Sequence, residues 1–520
     1  MLTKTEPDEI QSFLTDASHM LEGHAERVVF PESADEVAAI LQTATRDKTL
    51  VTVSGAGTGT VGGRIPFAGV VLATDKLNQV KSIIHEGQFG RGVAEAGVRL
   101  SDFQGFVESQ GLLYPPDPTE RSCFLGGTVA TNASGARTFK YGPTRNYVQR
   151  LKVALANGDV IDLRRGEHKA DAEGHIRIPL PSGGLIGTQL PSYQMPATRK
   201  HASGYFVAPE MDVLDLFIGS EGTLGVIVEI EASLLPKPAG LLSGVVFFTG
   251  EPELLGFVRE ARAQSLKNRE LAGSSSVGRL GPLMDKAFEV TNREPIIPGA
   301  DCESRDAIDA RALEYFDRES LSFLRQKYDT IPVEATGAIF FEQETDSTSE
   351  DSVMASWLAL MEEHQALADD SWFATNEADQ AKLREFRHAL PVLMNEWFAS
   401  HRQRKVSTDM SVPDGAFAEM LQFYQSTLQA SGLRYTIFGH IGDNHVHVNI
   451  LPRDDGEGVR AREIYVEFLK RAAAVGGTLS AEHGIGKLKR DYLRLFFTDQ
   501  HLRQMATLKR AFDPAGILGR

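Results

Sequence analysis

Histidines and an asparagine stand close together in the segment FGHIGDNHVHVNILP, residues 438–452. The apolar residues around them predict two strands joined by a short turn. Because side chains alternate across a strand, His447 and Asn449 share one face of the second strand, and His440 can lie opposite His447 across the hairpin. This face would present imidazole nitrogens to one small space, which is half of a metal-binding site.

A second polar segment, SAEHGIGKLKR at residues 480–490, places Glu482 and His483 next to each other before a glycine turn. Two imidazoles from the hairpin and one carboxylate from this turn suit zinc, manganese or a similar divalent ion, and they leave coordination positions open for a substrate. On these residues alone, a metal hydrolase that activates water is an alternative. That alternative leaves the glycine-rich segments of the N-terminal half without a role.

The segment SGAGTGTVGGR, residues 54–64, follows a short apolar strand and contains five glycines. Glycine lets successive backbone amides point to one side, so the loop can form a nest for an anion, with hydroxyl donors from Ser54, Thr58 and Thr60. A dinucleotide pyrophosphate fits such a surface. The loop lacks the Gly-Lys-Ser/Thr ending of a P-loop, and its glycine spacing does not match the GxGxxG motif of nicotinamide-binding folds.

Two further segments are dense in glycine and other small residues. Residues 114–148 contain LGGTVATNASG behind a proline-stiffened entry, and residues 216–238 contain IGSEGTLG ahead of an apolar strand. Small residues at this density let a flat ligand or another backbone approach closely. Together with the first loop, these segments predict a wall of backbone against a flat cofactor.

In this order, the three segments resemble the FAD-binding domain of the vanillyl-alcohol oxidase/p-cresol methylhydroxylase superfamily. The resemblance implies an α+β domain in which FAD lies between two small subdomains. Some members attach the flavin to a histidine of the first loop, but residues 54–64 contain no histidine, so non-covalent FAD is expected. The cofactor contacts implied by the resemblance are Ser54, Gly55, Ala56, Gly57, Thr58, Gly59, Thr60, Pro116, Asp117, Gly126, Gly127, Thr128, Asn132, Ser134, Gly135, Tyr141, Glu221, Gly222, Gly225, Val226 and Ile227.

The C-terminal motifs GHIGDNHVH and EHGIG resemble the patterns GHxGDGNxH and EHGxG of the FAD-linked oxidase family. That family includes D-lactate dehydrogenase, the glycolate oxidase flavin subunit and D-2-hydroxyglutarate dehydrogenase. The resemblance implies that His440, His447 and Glu482 are metal ligands. It also implies that His483 is the catalytic base and that Asn449 helps to bind the substrate. With the N-terminal segments, the resemblance extends over nearly the whole chain.

The chain departs from the family pattern at Asn444 and His445, where the family has glycine and asparagine. Loss of the glycine is expected to change the turn, because glycine adopts backbone conformations that other residues avoid. His445 could then be an extra or competing metal ligand. The metal therefore stays open between zinc and manganese.

The family members named above act on 2-hydroxy acids, and such a substrate needs a cation beside its carboxylate. The segment LREFRHALP, residues 383–391, resembles the family helix that carries a substrate-binding arginine. The register favours Arg387 over Arg384, and a guanidinium binds a carboxylate through paired hydrogen bonds. The later segment RKVSTDMSVP resembles one that supplies a lysine in some relatives. Lys405 and Ser407 are both candidates for that position, so the group that contacts the substrate tail is not assigned.

The resemblance implies an enzyme that oxidises a D-2-hydroxy acid, such as D-lactate, D-2-hydroxyglutarate or glycolate, to the 2-oxo acid. A divalent metal would activate the hydroxyl group, His483 would take its proton, and a hydride would pass to flavin N5. The reduced flavin would then need a quinone, an electron-transfer protein or another acceptor. Two alternatives stay open: a flavin subunit of a larger redox complex, and a metal-free FAD alcohol oxidase.

Composition disfavours several other classes of protein. The chain has 520 residues and a net charge of −16, so a basic nucleic-acid-binding surface is not indicated. Its two cysteines, Cys123 and Cys302, are too few for a Cys-ligated iron–sulfur cluster or a Cys-rich zinc site. The sequence has neither a secretory signal pattern nor an apolar run of membrane-spanning length. We therefore expect a soluble cytoplasmic protein, with peripheral attachment to the inner membrane face and a homodimer both left open.

The helices and strands expected along the sequence predict an α+β protein of three parts, which together position these groups. They are a two-subdomain FAD-binding domain of the p-cresol methylhydroxylase type at 1–238, an α+β cap with an antiparallel sheet at 239–430, and a segment at 431–520 that completes the cap and active site and ends in a helix. Ser33 to Glu36 form a capping box at the start of a helix. Further helices are expected at 1–25, 252–267, 349–365, 377–390 and 457–475, and strands of the cap at 242–248 and 335–341.

Overall fold

The computed structural model of the chain describes residues 1–275 and 307–519. Cys302 and the stretch 276–306 of the predicted cap therefore lie outside the described residues. The described chain forms two sheets and a separate hairpin in its N-terminal half, and one larger antiparallel sheet in its C-terminal half. Helices cover these sheets, and the predicted α+β class is confirmed.

The first sheet lies at the N-terminus and has four strands in the order β1-β2-β4-β3. Its elements are β1 (Leu2–Lys4), α1 (Pro7–Ile10), β2 (Arg27–Phe30), α2 (Ala34–Asp47), β3 (Val51–Ser54) and β4 (Val70–Ala73). Ser33 caps α2 by accepting a hydrogen bond from Glu36 N at 3.2 Å, as the capping box predicts. The helix expected over residues 1–25 is wrong, because β1 instead pairs with the open edge of β2 and α1 is a single turn.

The second sheet has the order β5-β6-β12-β8-β9, with β7 paired to the end of β12. The elements of this part are β5 (Val80–Glu86), β6 (Phe89–Glu95), α3 (Leu100–Ser109), β7 (Leu112–Leu113), α4 (Leu125–Ala130), α5 (Thr138–Tyr141), β8 (Val148–Ala154), β9 (Val160–Arg164), the separate hairpin β10 (His175–Pro179) and β11 (Leu185–Gln189), and β12 (Val226–Pro236). Apolar and acidic residues alternate along part of β12, yet both kinds are buried. Glu229 and Glu231 are covered by basic side chains of the same sheet, including Lys81 of β5 at 2.6 Å and Arg91 of β6 at 3.0 Å.

The third sheet belongs to the C-terminal half and has seven strands in the order β16-β13-β15-β14-β18-β19-β17. Its elements are β13 (Gly240–Phe248), α6 (Glu251–Ser275), β14 (Ala310–Phe316), α7 (Arg318–Leu324), β15 (Gly337–Thr345), α8 (Glu350–Glu363), β16 (Trp372–Ala374), α9 (Glu377–His401), β17 (Val406–Ser407), α10 (Phe417–Ser431), β18 (Tyr435–Gly439), β19 (His447–Ile450) and α11 (Asp455–Ala474). The strands predicted at 242–248 and 335–341 overlap β13 and β15. The helices predicted at 252–267, 349–365 and 457–475 overlap α6, α8 and α11.

Helix α9 runs further than the sequence pattern predicts. We expected it to end at residue 390, because proline lacks the N–H that an interior helical position needs. The helix instead continues through Pro391 to His401. Its apolar face explains this, since Met394 and Phe398 beyond the proline are buried in the same cluster as Phe386 before it.

The C-terminal residues return to the N-terminal half. Helix α12 (Asp499–Phe512) buries Met505, Leu508 and Phe512 in the core of the second sheet. The chain then reaches the first sheet, where Val51 N donates to Ile517 O at 2.8 Å. The two halves are therefore joined through the C-terminus as well as through the β12–β13 connection.

Candidate active site

One cleft in the N-terminal half brings the three glycine-rich segments together. It has a volume of about 410 Å³ and lies between the loop after β3, the region around α4 and the start of β12. The predicted cofactor-binding residues that line it are Gly55, Ala56, Gly57, Thr58, Gly59, Thr60, Gly126, Gly127, Thr128, Ser134, Glu221, Gly222, Gly225, Val226 and Ile227. Segments far apart in sequence thus form one backbone-rich wall.

The remaining predicted cofactor residues do not line the cleft, and some of them hold neighbouring backbone in place. Ser54 accepts a hydrogen bond from Arg64 Nη1 at 3.1 Å, and Asn132 accepts one from a backbone amide at 3.0 Å. Gly135 packs so closely on Asp117 that a Cβ would lie 2.0 Å from the Asp117 carbonyl oxygen. The residues that do not line the cleft are Ser54, Pro116, Asp117, Asn132, Gly135 and Tyr141.

Glu221 joins the third glycine-rich segment to the EHGIG motif. Its carboxylate accepts hydrogen bonds from the amides of Ile485 at 2.8 Å and Gly486 at 2.7 Å. The cleft therefore continues into the motif, and Glu482 and His483 form part of its wall. The cofactor wall and the predicted catalytic residues belong to one connected surface.

The imidazoles of His440 and His447 meet at the carboxylate of Glu482. Nε2 of each histidine lies 3.2 Å from Glu482 Oε1. The predicted pairing of the two histidines across the hairpin is wrong, because His447 pairs with Phe438. His440 follows the end of β18, and its ring centroid still lies 5.5 Å from that of His447.

The outer nitrogens of both rings face oxygen acceptors. His447 Nδ1 lies 3.0 Å from the carbonyl oxygen of Thr408, and His440 Nδ1 lies 2.6 Å from Glu314 Oε1. Because a carbonyl oxygen can only accept, this contact assigns the proton of His447 to Nδ1 and leaves the Nε2 lone pair facing Glu482. At His440, burial lowers the pKa of the imidazole, but Glu314 and Glu482 raise it to about 9, so without an ion its Nε2 directs a proton at Glu482. A proton or a cation is therefore needed where the two Nε2 atoms meet the carboxylate.

Asp409 organises the EHGIG motif, and the sequence interpretation missed it. Its buried carboxylate accepts hydrogen bonds from the amides of Glu482 at 3.2 Å and His483 at 3.0 Å, and from Lys489 Nζ at 2.7 Å. His483 stacks on His447 with ring centroids 5.3 Å apart, and its Nδ1 lies 3.5 Å from Asp409 Oδ2. Burial lowers the pKa of His483 to about 4, although Asp409 and Glu482 oppose this shift.

Lys200 is a second residue that the sequence interpretation missed. Its side chain is fully buried, and Nζ lies 2.9 Å from the carbonyl oxygen of Gly135 and 3.2 Å from Glu482 Oε2. Asp443 Oδ2 is 3.6 Å away. A lone lysine in the loop between β11 and β12 carries no local signal for this role. Only the fold brings it to the predicted metal ligand.

A small pocket of about 170 Å³ opens beside the histidines. Arg387 lies in its wall and donates from Nε to Glu314 Oε2 at 3.1 Å. Although burial raises the pKa of Glu314, Arg387 and His440 bring it down to about 2. The pocket is lined by Thr119, Glu314, Phe316, Arg387, His388, Pro391, Lys405, Phe438, Gly439, His440, His447, Glu482 and His483. Arg384 lines a neighbouring chamber of about 510 Å³ instead.

Asn449, the other predicted substrate-binding residue, does not line this pocket. Its side chain is fully buried, and its Nδ2 donates to the backbone oxygen of His447 at 3.3 Å. Of the two candidates for the group at the substrate tail, Lys405 lines the pocket and Ser407 does not. Asn449 therefore lies one layer behind the surface that a small ligand would touch.

Comparison with known proteins matches two family descriptions to this chain. "FAD binding domain" matches residues 25–164, and "FAD linked oxidases, C-terminal domain" matches residues 301–520. A D-lactate dehydrogenase of Anaerostipes hadrus is 30% identical over 98% of this chain and 92% of its own length. The chain belongs to the FAD-linked oxidase family. It is thus an FAD-linked oxidoreductase.

Other relatives of this FAD-linked oxidase are similar over comparable lengths. The glycolate oxidase subunit GlcD of Bacillus subtilis is 26% identical over 97% of this chain and 90% of its own length. A D-2-hydroxyglutarate dehydrogenase of Stutzerimonas stutzeri is 26% identical over 99% of this chain and 94% of its own length. An alkyldihydroxyacetonephosphate synthase structure has a TM-score of 0.58 at 14% identity, over 95% of this chain and 77% of that chain, and shares the fold.

The family matches agree with the architecture. The first covers the opening glycine-rich loop and the region around α4, and the second contains the histidine hairpin and the EHGIG motif. In the part of the FAD-linked oxidase that the structure describes, no helix has the length and apolar character needed to cross a membrane.

Proposed function

We propose that this FAD-linked oxidase oxidises a small D-2-hydroxy acid to the 2-oxo acid, with FAD held non-covalently and a divalent ion held by His440, His447 and Glu482. One observation carries the proposal: Glu482 and His483 line both the 410 Å³ cleft and the 170 Å³ pocket. A molecule in the pocket would therefore lie at the border of the cofactor cleft. The substrate class follows from relatives named as D-lactate, glycolate and D-2-hydroxyglutarate enzymes.

Non-covalent FAD is supported by the residues that line the cleft. His483 is the one histidine among the described lining residues, and it belongs to the predicted catalytic group. Tyrosine is missing from the same lining, and the one cysteine there is Cys123. Burial raises the pKa of the Cys123 thiol to about 12, so it is a poor nucleophile.

A divalent ion fits the space between the histidines and Glu482. Their inner nitrogens and the carboxylate oxygens lie within 4.8 Å of one another, and the site is buried. Glu314 and the carbonyl oxygen of Thr408 hold the outer nitrogens, an arrangement that orients imidazoles in metal sites. When bound, such an ion supplies a Lewis acid for a substrate oxygen, and FAD supplies the acceptor for two electrons.

The remaining residues of the pocket would bind and orient the acid. Arg387 is held by Glu314 and keeps further N–H groups for a carboxylate. His483 lines the pocket, its side chain is 34% exposed, and its Nε2 would accept the proton of the substrate hydroxyl. Asp409 fixes the backbone of His483 and would face the imidazolium that forms. The electrons then leave through a quinone, an electron-transfer protein or another acceptor.

The test is anaerobic reduction of the purified, FAD-loaded protein. We expect one or more of D-lactate, D-2-hydroxyglutarate, glycolate and D-malate to bleach the flavin absorbance, and L-lactate to leave it unchanged. Chelation of the ion and His483→Ala should each abolish bleaching while FAD stays bound. His85→Ala, at an exposed histidine of β5, serves as the matched control. Near-normal bleaching by His483→Ala, or none with any acid in the loaded wild type, would overturn the proposal.

A second candidate is a flavin subunit of a larger redox complex. The observation that favours it is the name of two relatives, the glycolate oxidase subunits of Bacillus subtilis and Escherichia coli. Steady-state reduction of a dye distinguishes an autonomous dehydrogenase from an isolated flavin subunit. An autonomous dehydrogenase turns over many times with acid and dye alone, whereas an isolated subunit of this kind is reduced without sustained turnover.

A further inference from the structure

His445 lies in the turn between β18 and β19, beside the proposed ion site. Within this turn, Asn444 adopts the left-handed backbone conformation with φ of 53°. Asparagine tolerates this conformation better than most residues, so it can stand where the family has glycine. The Asn444 side chain also bonds to Asp414. The backbone at Asn444 is therefore in the region that glycine favours, and the side chain of His445 is fully buried.

The environment of His445 leaves its ring without a satisfactory partner. The side chain has no exposed surface, and neither ring nitrogen has a hydrogen-bond partner among the described residues. Nε2 lies 3.2 Å from Asp409 Oδ1, and Nδ1 lies 4.0 Å from Glu482 Oε2. A buried polar group without a partner costs free energy, and a ligand at Nδ1 would remove that cost.

The geometry points to His445 as a fourth protein ligand of the divalent ion, through Nδ1, beside His440, His447 and Glu482. This inference rests on the proposed function. One ligand atom of each of the four residues lies within 4.8 Å of the others. The ring centroid of His445 is 5.4 Å from that of His440 and 4.5 Å from that of His447.

Asp409 gives His445 the orientation that the other two histidines have. In each ring the outer nitrogen lies beside an oxygen acceptor: Glu314 for His440, the Thr408 carbonyl for His447, and Asp409 for His445. A carboxylate beside Nε2 favours the tautomer with the proton there, so the lone pair of Nδ1 faces the ion. Three imidazoles whose outer nitrogens each lie beside an oxygen acceptor are typical of a metal site.

Three imidazole nitrogens and one carboxylate oxygen define the class of ion. Imidazole suits zinc, iron, nickel and cobalt, whereas oxygen-rich sites suit manganese and magnesium. We therefore expect Zn²⁺ or Co²⁺ to bind more tightly than Mn²⁺. A fourth protein ligand also leaves fewer positions for the substrate than three ligands would.

The first measurement uses the wild-type, FAD-loaded chain and needs no substitution. X-ray absorption of the Zn²⁺-loaded protein should count three imidazoles on the ion. A count of two would overturn the inference while leaving the proposed ion site in place. A wild-type protein that takes up neither Zn²⁺ nor Co²⁺ would overturn both this inference and the proposed ion site.

The second measurement compares two buried-histidine variants. His445→Asn should weaken Zn²⁺ at least about tenfold in competition with a chelator, and it should change the visible spectrum of bound Co²⁺. His201→Asn is the matched control, because His201 is buried against Phe206 and belongs to none of the described ligand clusters. It should leave both readouts unchanged. Wild-type affinity and an unaltered Co²⁺ spectrum in His445→Asn would overturn the inference.

Discussion

Lys200 Nζ lies 3.2 Å from Glu482 Oε2, and the lysine side chain has no exposed surface. Glu482 is also the carboxylate at which the imidazoles of His440 and His447 meet. Although burial raises the pKa of Glu482, Lys200 and the imidazoles bring it well below its usual range. The proposed ion site therefore contains a lysine amine beside its carboxylate, and the protein itself supplies both groups.

Lys200→Met should destabilise the metal-free protein much more than the metal-loaded protein. Without the lysine, the metal-free protein has a buried carboxylate that has lost its main positive partner, a change that typically costs about 3–5 kcal/mol. A bound divalent ion would compensate the same carboxylate and reduce that loss. Urea unfolding with Zn²⁺ and with a chelator measures both free energies. Lys487→Met, at a half-buried lysine that follows the EHGIG motif, is the control. The prediction would be contradicted if Lys200→Met lost the same free energy of unfolding with Zn²⁺ as with the chelator.

Arg387→Met should raise the KM for the acid and lower kcat/KM by roughly 10- to 100-fold, since a hydrogen bond to a charged group contributes about 1.5–3 kcal/mol. Arg387→Lys should recover only part of this loss, because lysine keeps the charge but not the paired donors. Steady-state kinetics with the best acid measures both variants. Arg384→Met is the control, since Arg384 does not line the pocket, whereas Arg387 lines both the pocket and the neighbouring chamber. A larger effect from Arg384 would mean that the predicted register of α9 is wrong.

The sequence predicted those parts of the site that lie within short segments. The glycine-rich loops line one cleft because each is a continuous stretch of small residues beside a strand. The motifs with His440, His447 and Glu482 meet because each sits on a tight turn. The register of the histidine hairpin was wrong, since His440 lies in the connection after β18 and His447 pairs with Phe438.

The residues that support these motifs could not be predicted, because no local pattern marks them. Glu314 comes from the middle of β14, Asp409 from a loop after β17, and Lys200 from a long loop after β11. Each is a buried charge whose partner lies at least 70 positions away, so only the fold brings the two together. Helix α9 was predicted too short for the same reason, since the core beyond Pro391 stabilises it.

Asp409→Asn should slow turnover while leaving FAD bound. The amide keeps an oxygen for the backbone of His483, but it cannot accept from Lys489 and from the backbone amides together. Breaking the buried contact with Lys489 should also cost about 3–5 kcal/mol of stability. Flavin content, kcat and urea unfolding measure the three effects.

The double variant Asp409→Asn/Lys489→Met separates the two roles of Asp409. Removing the stranded lysine charge should recover much of the lost stability, because the buried ammonium is no longer unpaired. Turnover should stay low, since the group that orients His483 is still altered. Recovery of kcat together with stability would mean that Asp409 only stabilises the fold.

Gly59→Val and Gly126→Ala should separate the cofactor surface of the cleft from its packing. At Gly59 a Cβ would meet no atom within 4 Å, so a side chain there clashes with nothing in the FAD-free protein. Because Gly59 lines the cleft, that side chain would occupy space inside it. We expect Gly59→Val to keep the stability of the FAD-free protein and to weaken the binding of FAD at least about tenfold, or ~1.4 kcal/mol.

At Gly126 a Cβ would lie 2.6 Å from Ala96 Cβ, so Gly126→Ala should destabilise the FAD-free protein by about 1–3 kcal/mol. Flavin titration and urea unfolding of both variants test this, and wild-type FAD affinity in Gly59→Val would place the cofactor away from the first glycine-rich loop.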